Sequence, residues 1–173
     1  MVAHRLRPAG TADIPALSRL GIVSFVAKFG HLYRPEDLAR FLEESRSSRA
    51  VAAELADPQR LYRLAERDGG LTGYAKLALT RGFPDHARGA RTIELKQLYT
   101  DPAHTGEGIG AALLEWALAE ARARGFDEMQ LSVWSGNFGA QRFYARYGFI
   151  KVADVTFRVG EQVDEEFLLS RML

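Results

Sequence analysis

The chain contains no cysteine. No disulfide framework, thiol nucleophile or cysteine-based zinc site can be built from it, no metal is expected, and the lack suits a reducing compartment. An excess of charge is missing too: 23 lysines and arginines stand against 22 aspartates and glutamates, a formal net charge of +1. Such a balance gives no overall field for nucleic acid or an anionic membrane, and neither is expected as a partner. No apolar run reaches the roughly 20 residues that cross a bilayer. Met1 to Pro8 lacks the apolar core of a secretory signal, so the expected location is cytoplasmic. Internal repeats, low-complexity segments and linkers are absent as well. A length of 173 residues then fits one domain over 1–173.

What is present is a glycine stretch near the middle, Thr105-Gly106-Glu107-Gly108-Ile109-Gly110. It follows a strand-like run, Thr92 to Tyr99, and opens into a helical pattern from Ala111 to about Arg124. Glycine allows positive φ and close approach of a ligand to the backbone. A helix N-terminus adds unpaired N–H groups and partial positive charge. Together they make a place for a phosphate or pyrophosphate; the plain alternative is a tight turn. Two named phosphate motifs do not fit. Gly110 is followed by Ala111 rather than Lys-Ser/Thr, and Gly-x-Gly-x-Gly is not the dinucleotide spacing Gly-x-Gly-x-x-Gly.

Helical patterns dominate the first third. A short strand is expected over Val2–Leu6, ended by Pro8 and Gly10. Thr11 is the expected N-cap of a helix whose apolar face continues through Phe25, Val26 and Phe29. A second helix is expected from near Pro35 and a third over Ser47–Leu55. Strands follow at Leu61–Glu66 and Leu71–Leu79, around an Asp68-Gly69-Gly70 turn that reads as a hairpin. A strand at Met129–Trp134, a helix at Phe138–Arg146 and closing strands at Phe149–Val155 and Val163–Leu169 complete the chain. Early helices, an antiparallel meander and strand–helix–strand units predict an α+β fold.

The chain resembles the GCN5-related N-acetyltransferase (GNAT) superfamily. The loop and helix Gly106-Glu107-Gly108-Ile109-Gly110 with Leu113-Leu114 resembles its pyrophosphate motif. Leu98-Tyr99-Thr100-Asp101-Pro102 resembles its strand-to-loop approach. Asn137-Phe138-Gly139-Ala140-Gln141-Arg142-Phe143-Tyr144, continuing to Gly148-Phe149, resembles its Asn-x-x-Ala-x-x-Phe-Tyr…Gly-Phe segment. Gly73-Tyr74 matches a glycine–aromatic pair in the preceding hairpin. One position departs: the family often has Gln or Arg where this chain has Thr105, which lacks arginine's charge and fork. Leu32 to Leu38, Gly73 to Leu77 and Glu94 to Tyr99 are further similar to a bacterial subgroup that includes a polyamine N-acetyltransferase.

The resemblance implies a mostly antiparallel central sheet flanked by helices, with central strands splayed at the coenzyme A (CoA) site. It implies an enzyme that passes acetyl from acetyl-CoA to an amine without a covalent enzyme intermediate. The acceptor is expected to be a small-molecule amine, with a polyamine as the leading class. A protein N-terminus or lysine is the alternative acceptor, and a non-catalytic acyl-CoA sensor the alternative role. A monomer or homodimer is expected.

The cofactor-side residues implied are Leu98, Tyr99, Thr100, Thr105, Gly106, Glu107, Gly108, Ile109, Gly110, Asn137 and Tyr144. Asn137 reads equally as the N-cap of the helix starting at Phe138. Tyr144 is the implied general acid, since a phenol is protonated at neutral pH; otherwise it is a packing tyrosine. Glu94 is the leading base, with a strand-surface or ion-paired role as the alternative. His31 and His104 are weaker options for the base. Phe29, His31, Tyr33 and Glu36, with Asp37, are expected around the acceptor; Glu36 and Asp37 also suit a helix first turn.

Overall fold

The computed structural model describes residues 3–173, in which seven strands join into one sheet. Strand β1 (Arg5–Pro8) is followed by helices α1 (Ile14–Phe29), α2 (Pro35–Arg46) and α3 (Ser48–Ala56). Then come β2 (Arg60–Arg67), β3 (Gly70–Ala78), β4 (Thr92–Thr100), α4 (Ile109–Ala123) and β5 (Glu128–Trp134). Helix α5 (Phe138–Arg146), β6 (Ile150–Val159) and β7 (Gln162–Met172) end the chain. The spatial order is β1-β2-β3-β4-β5-β7-β6, antiparallel throughout except between β4 and β5. This is the mixed α+β class expected from the pattern of elements.

Local chemistry sets most of the boundaries. Asp68 and Gly69 both have positive φ, 52° and 79°, as a two-residue hairpin turn demands. Ser47 caps α3 by accepting from the Ala50 N–H, and Gly125 (φ 76°) follows the end of α4. Two expectations near the start are corrected. The first strand runs through Pro8, which an edge strand tolerates because no neighbour needs its missing N–H; Val2 lies outside the described residues. Thr11 opens a short 3₁₀ turn, and α1 starts only at Ile14. There the Asp13 carboxylate accepts from the Gly10 N–H (2.8 Å) and from Arg7 (2.8 and 2.9 Å).

The closing strands are longer than expected, and β7 inserts between β5 and β6. Leu168 and Leu169 of β7 are buried, whereas β6 carries Lys151, Asp154 and Arg158 and leaves Ile150 half exposed. The more apolar strand takes the interior and the charged one the edge.

Each face of the sheet has its own core, following the two-residue alternation of a strand. Ala75, Leu77, Leu95, Leu131 and Val133 pack with Leu113 and Leu114 of α4. Tyr74 packs on the other face with Leu17 and Leu20 of α1 and Val51 of α3, and Tyr99 joins it. Phe25 and Tyr33 continue that side toward Val159. Gly73 lets α4 approach: a Cβ there would sit 2.7 Å from Ile109 Cγ2 and 2.8 Å from the Tyr99 carbonyl oxygen. Among the described residues no helix is long and apolar enough to cross a membrane.

Candidate active site

The parallel pair β4–β5 is joined at only three positions, Thr92–Glu128, Ile93–Met129 and Glu94–Gln130. Beyond Glu94 the strands part. A bulge in β4 marks the parting: Gln97 faces Lys76 and Leu95 faces Leu77, leaving Lys96 without a partner on β3. The gap opens a cavity of about 160 Å³, walled by Leu95–Tyr99, Leu131–Trp134, Asn137 and Tyr144. On the α1 side Phe25, Phe29, Tyr33 and Arg46 close it, together with Asp164 and Glu166 of β7.

The glycine loop lies directly after β4. The Asp101 carboxylate accepts from the Ala103 N–H (2.9 Å) and sets the turn. Gly106 and Gly108 have φ of 82° and 80°, and an added Cβ would meet nothing within 4 Å at either. Conformation, not crowding, requires glycine at both. Gly108 is the N-cap of α4 and has no side chain with which to cap it. Ile109 is buried beneath the loop, so only its backbone faces outward. Thr105 is exposed and turns its hydroxyl onto the Pro102 carbonyl (3.4 Å). Glu107 ties the loop to the sheet. It takes hydrogen bonds from Arg67 (2.8 Å) and His4 (3.0 Å), with His104 3.3 Å away. Burial opposes its ionisation, but His104, Arg67 and His4 hold it below the usual carboxylate range. His104 belongs to this tether and not to the cavity wall. A backbone cradle with open space and an uncapped 15-residue helix suits a diphosphate.

Helix α5 brings two expected residues to the cavity. Asn137 accepts from the Ala140 N–H (3.1 Å) as the N-cap of α5, and it also lines the gap. Tyr144 lines the gap between the rings of Phe143 (5.2 Å) and Phe149 (5.7 Å). Burial raises its phenol well above the ordinary value, and no hydrogen bond contributes. Its O–H is therefore protonated and free to donate. Leu98 packs into the α4 core, and Thr100 lies against Gly110. Tyr99 lines the cavity with its ring against Tyr74.

The acceptor-side expectations divide. Phe29 and Tyr33 wall the cavity, and the Tyr33 hydroxyl donates to Asp164 (2.6 Å). His31 is exposed beside Trp134, 6.4 Å between rings. Glu36 and Asp37 do not reach the cavity. Glu36 is exposed in the first turn of α2, 3.7 Å from Arg34. Asp37 is buried, pairs with Arg34 (2.8 Å) and packs under Gly160, pinning α2 to the β6–β7 turn. Glu94 also stays outside. It lies on the closed stretch of the ladder, so its buried carboxylate sits beneath Gly82 and 3.6 Å from Lys96.

Cavity residues that no sequence expectation placed at the site include Lys28, Arg46, Trp134, Asp164 and Glu166. The two acids alternate on β7, and only the strand order reveals that they face the gap. Burial raises the Glu166 carboxyl above the ordinary range, against an opposing hydrogen bond from Ser132.

The sequence model of the acetyltransferase (GNAT) family matches residues 26–149. An uncharacterized N-acetyltransferase of Mycobacterium tuberculosis is 37% identical over 139 residues, covering 80% of this chain and 84% of that protein. An aminoalkylphosphonate N-acetyltransferase of Salmonella typhimurium is 38% identical over 99 residues, 57% of this chain and 62% of that protein. A solved structure of PaiA N-acetyltransferase from Thermoplasma acidophilum, in complex with coenzyme A, has a TM-score of 0.80 at 21% identity and covers 99% of both chains.

Proposed function

The chain belongs to the acetyltransferase (GNAT) family and is an acetyl-CoA-dependent N-acetyltransferase, and we propose that its acceptor is the primary amine of a small molecule. One observation carries this reading. The parting of β4 and β5 joins an uncapped helix N-terminus to a small walled cavity containing a free phenol and two carboxylates. A cavity of about 160 Å³ suits a compact amine. The similarity to an aminoalkylphosphonate acetyltransferase supports the same class of acceptor.

Acetyl-CoA supplies the activated acetyl thioester. The N–H groups at the start of α4, with the helix dipole behind them, hold its diphosphate. The backbone of β4 beyond Glu94, without a β5 partner, offers hydrogen bonds to the pantetheine arm. Glu166 takes one proton from the acceptor ammonium and passes it to solvent. Burial raises its pKa, the direction that favours a base, which works best near the operating pH. The freed amine attacks the thioester carbonyl; a C–N bond forms and the C–S bond breaks. Tyr144 gives its proton to the departing sulfur and recovers one from the acetylated nitrogen. An amide, a CoA thiol and one proton result.

Thiol release from acetyl-CoA across a panel of small primary amines, polyamines included, tests the reading. Turnover with at least one amine is expected, with CoA binding intact in Tyr144→Phe. Silence across the whole panel overturns it.

A further inference from the structure

Arg46 is a buried cation without a counter-charge. It ends α2, is 8% exposed and forms no ion pair with Asp or Glu among the described residues. Its contacts are neutral. With the Gln97 carboxamide turned to the orientation that satisfies both of its ends, Nη1 and Nη2 donate to its oxygen (3.1 and 3.0 Å) and its nitrogen donates to the Tyr74 hydroxyl (2.9 Å). The Ser45 carbonyl (3.3 Å) and the Tyr99 hydroxyl (3.5 Å) complete the set, and Nε has no partner. The rings of Phe25 and Phe41 lie 5.6 and 5.4 Å away. Gly21 keeps room for the side chain, since a Cβ there would sit 3.2 Å from Arg46 Cδ.

An unpaired buried charge is costly unless something completes it. Buried Glu128 and Asp164 are met by neutral donors, and buried Asp37 has Arg34. Of the two buried cations among the described residues, Lys76 has Glu54 (3.1 Å), whereas Arg46 has no carboxylate and lines the cavity. Lys28 lines the same cavity, which makes that wall cationic, while Asp164 and Glu166 supply the acids from β7. The cavity is thus bipolar. A polyamine brings only positive charge, which the acids attract and Arg46 repels. A molecule with an ammonium and an anion satisfies both poles.

We infer that the acceptor is a small zwitterionic amine whose carboxylate or phosphonate pairs with Arg46 while its ammonium faces Glu166. This rests on the assignment of the cavity as the acceptor site. Guanidinium presents a planar fork that matches either anion through two parallel hydrogen bonds.

The test compares kcat/KM for matched amines with and without the anion: α-amino acids and 2-aminoethylphosphonate against ethylamine and spermidine. The best anionic amine is expected to exceed its matched neutral counterpart by about 100-fold or more, since a missing partner for a buried charge is strongly discriminated. The two anion arms distinguish carboxylate from phosphonate. In Arg46→Gln the preference should collapse to within about 5-fold, mainly through KM, and Arg46→Lys should keep part of it. Preference for spermidine or ethylamine in the wild type overturns the inference, as does a ratio unchanged in both variants. A measurement on the unaltered protein covers a variant that fails to fold. Simple carboxylates or phosphonates without an amine should compete with the acceptor and not with acetyl-CoA; absence of competition counts against the inference. Turnover of cationic amines alone overturns the zwitterion and leaves the small-amine reading standing. Thermal stabilisation by 2-aminoethylphosphonate or an amino acid, lost in Arg46→Gln, without turnover of any amine does the reverse.

Discussion

Strands β4 and β5 run side by side in two very different halves. In the closed half, Thr92–Glu94 pair with Glu128–Gln130, and the buried carboxylate of Glu128 is surrounded by donors. It accepts from Ser170 Oγ (2.5 Å), the Arg88 and Gly89 N–H groups (2.7 Å each) and Thr92 Oγ1 (3.1 Å). In the open half, Arg46 lacks a carboxylate, Tyr144 has an unengaged hydroxyl and Glu166 is pushed toward its neutral form. The same pair of strands thus separates two uses of buried polarity. Around Glu128 the protein completes the hydrogen bonds itself. In the gap the Tyr144 hydroxyl and Arg46 Nε are left for donor and acceptor molecules.

Breaking the closed half should have the largest effect. Glu128→Ala removes the acceptor of five donors, Gln130 Nε2 (3.5 Å) being the fifth, and a loss of about 3–5 kcal/mol is expected. Denaturant unfolding measures it. The molecules that remain folded should bind acetyl-CoA normally, because Glu128 does not line the cavity. A fully stable variant would mean that the ladder alone holds the strands.

The open half responds in rate rather than stability. Tyr144→Phe removes only a hydroxyl that bonds nothing in the fold, so the melting temperature should barely move. Turnover should fall about 10²-fold or more, the usual worth of a positioned general acid, with CoA affinity preserved. Single-turnover kinetics separates the two quantities. Unchanged turnover assigns Tyr144 to packing alone.

Much of this contrast was legible in the sequence, but unevenly. The glycine loop and the Asn137–Phe149 segment are continuous, so their residues reach the site together with their elements. Tyr144 and Asn137 are of this kind. Glu94 and Glu36 show what a linear reading misses. Glu94 lies one residue before the strands part, and a register in space decides which side of that point a carboxylate faces. Arg46, Asp164 and Glu166 come from elements far apart in sequence, brought together by the placement of β7 beside β5. Nothing local to α2 distinguishes Arg46 from an ordinary arginine near a helix C-terminus.

A smaller effect is expected at the loop. Gly108→Ala puts a side chain at φ 80°, which costs about 1–2 kcal/mol for an L residue. The strain falls on the N-cap that aims the first N–H groups of α4. CoA affinity should weaken by roughly 10-fold, read by calorimetry. Gly110→Ala serves as the control, because its Cβ would meet only ordinary contacts at 3.8 and 3.9 Å. Equal losses in the two variants would remove the special role of the cap.

The smallest effect separates Glu128 from Glu166 by sign. Burial alone raises the Glu128 pKa, but hydrogen bonds from Ser170, Gly89, Arg88 and Thr92 outweigh it, and the net direction is down. A carboxylate with a lowered folded pKa contributes stability above its unfolded value, about 4.3, and loses it as pH falls through the folded one. Glu166 runs the other way. Its folded pKa is raised, so the stability it contributes is present below the unfolded value and disappears as pH rises through the folded one. Glu128→Gln should therefore flatten the acid-side loss of stability, and Glu166→Gln should flatten the loss on going toward neutrality. Denaturant midpoints measured across pH 3 to 8 report both. In the wild type the acidic limb of kcat/KM should lie above the ordinary carboxylate range, because Glu166 must lose its proton before it can accept one. If Glu166→Gln keeps that limb, another group is the base; if the two stability slopes share a sign, the contrast between the self-satisfied Glu128 and the cavity-facing Glu166 fails.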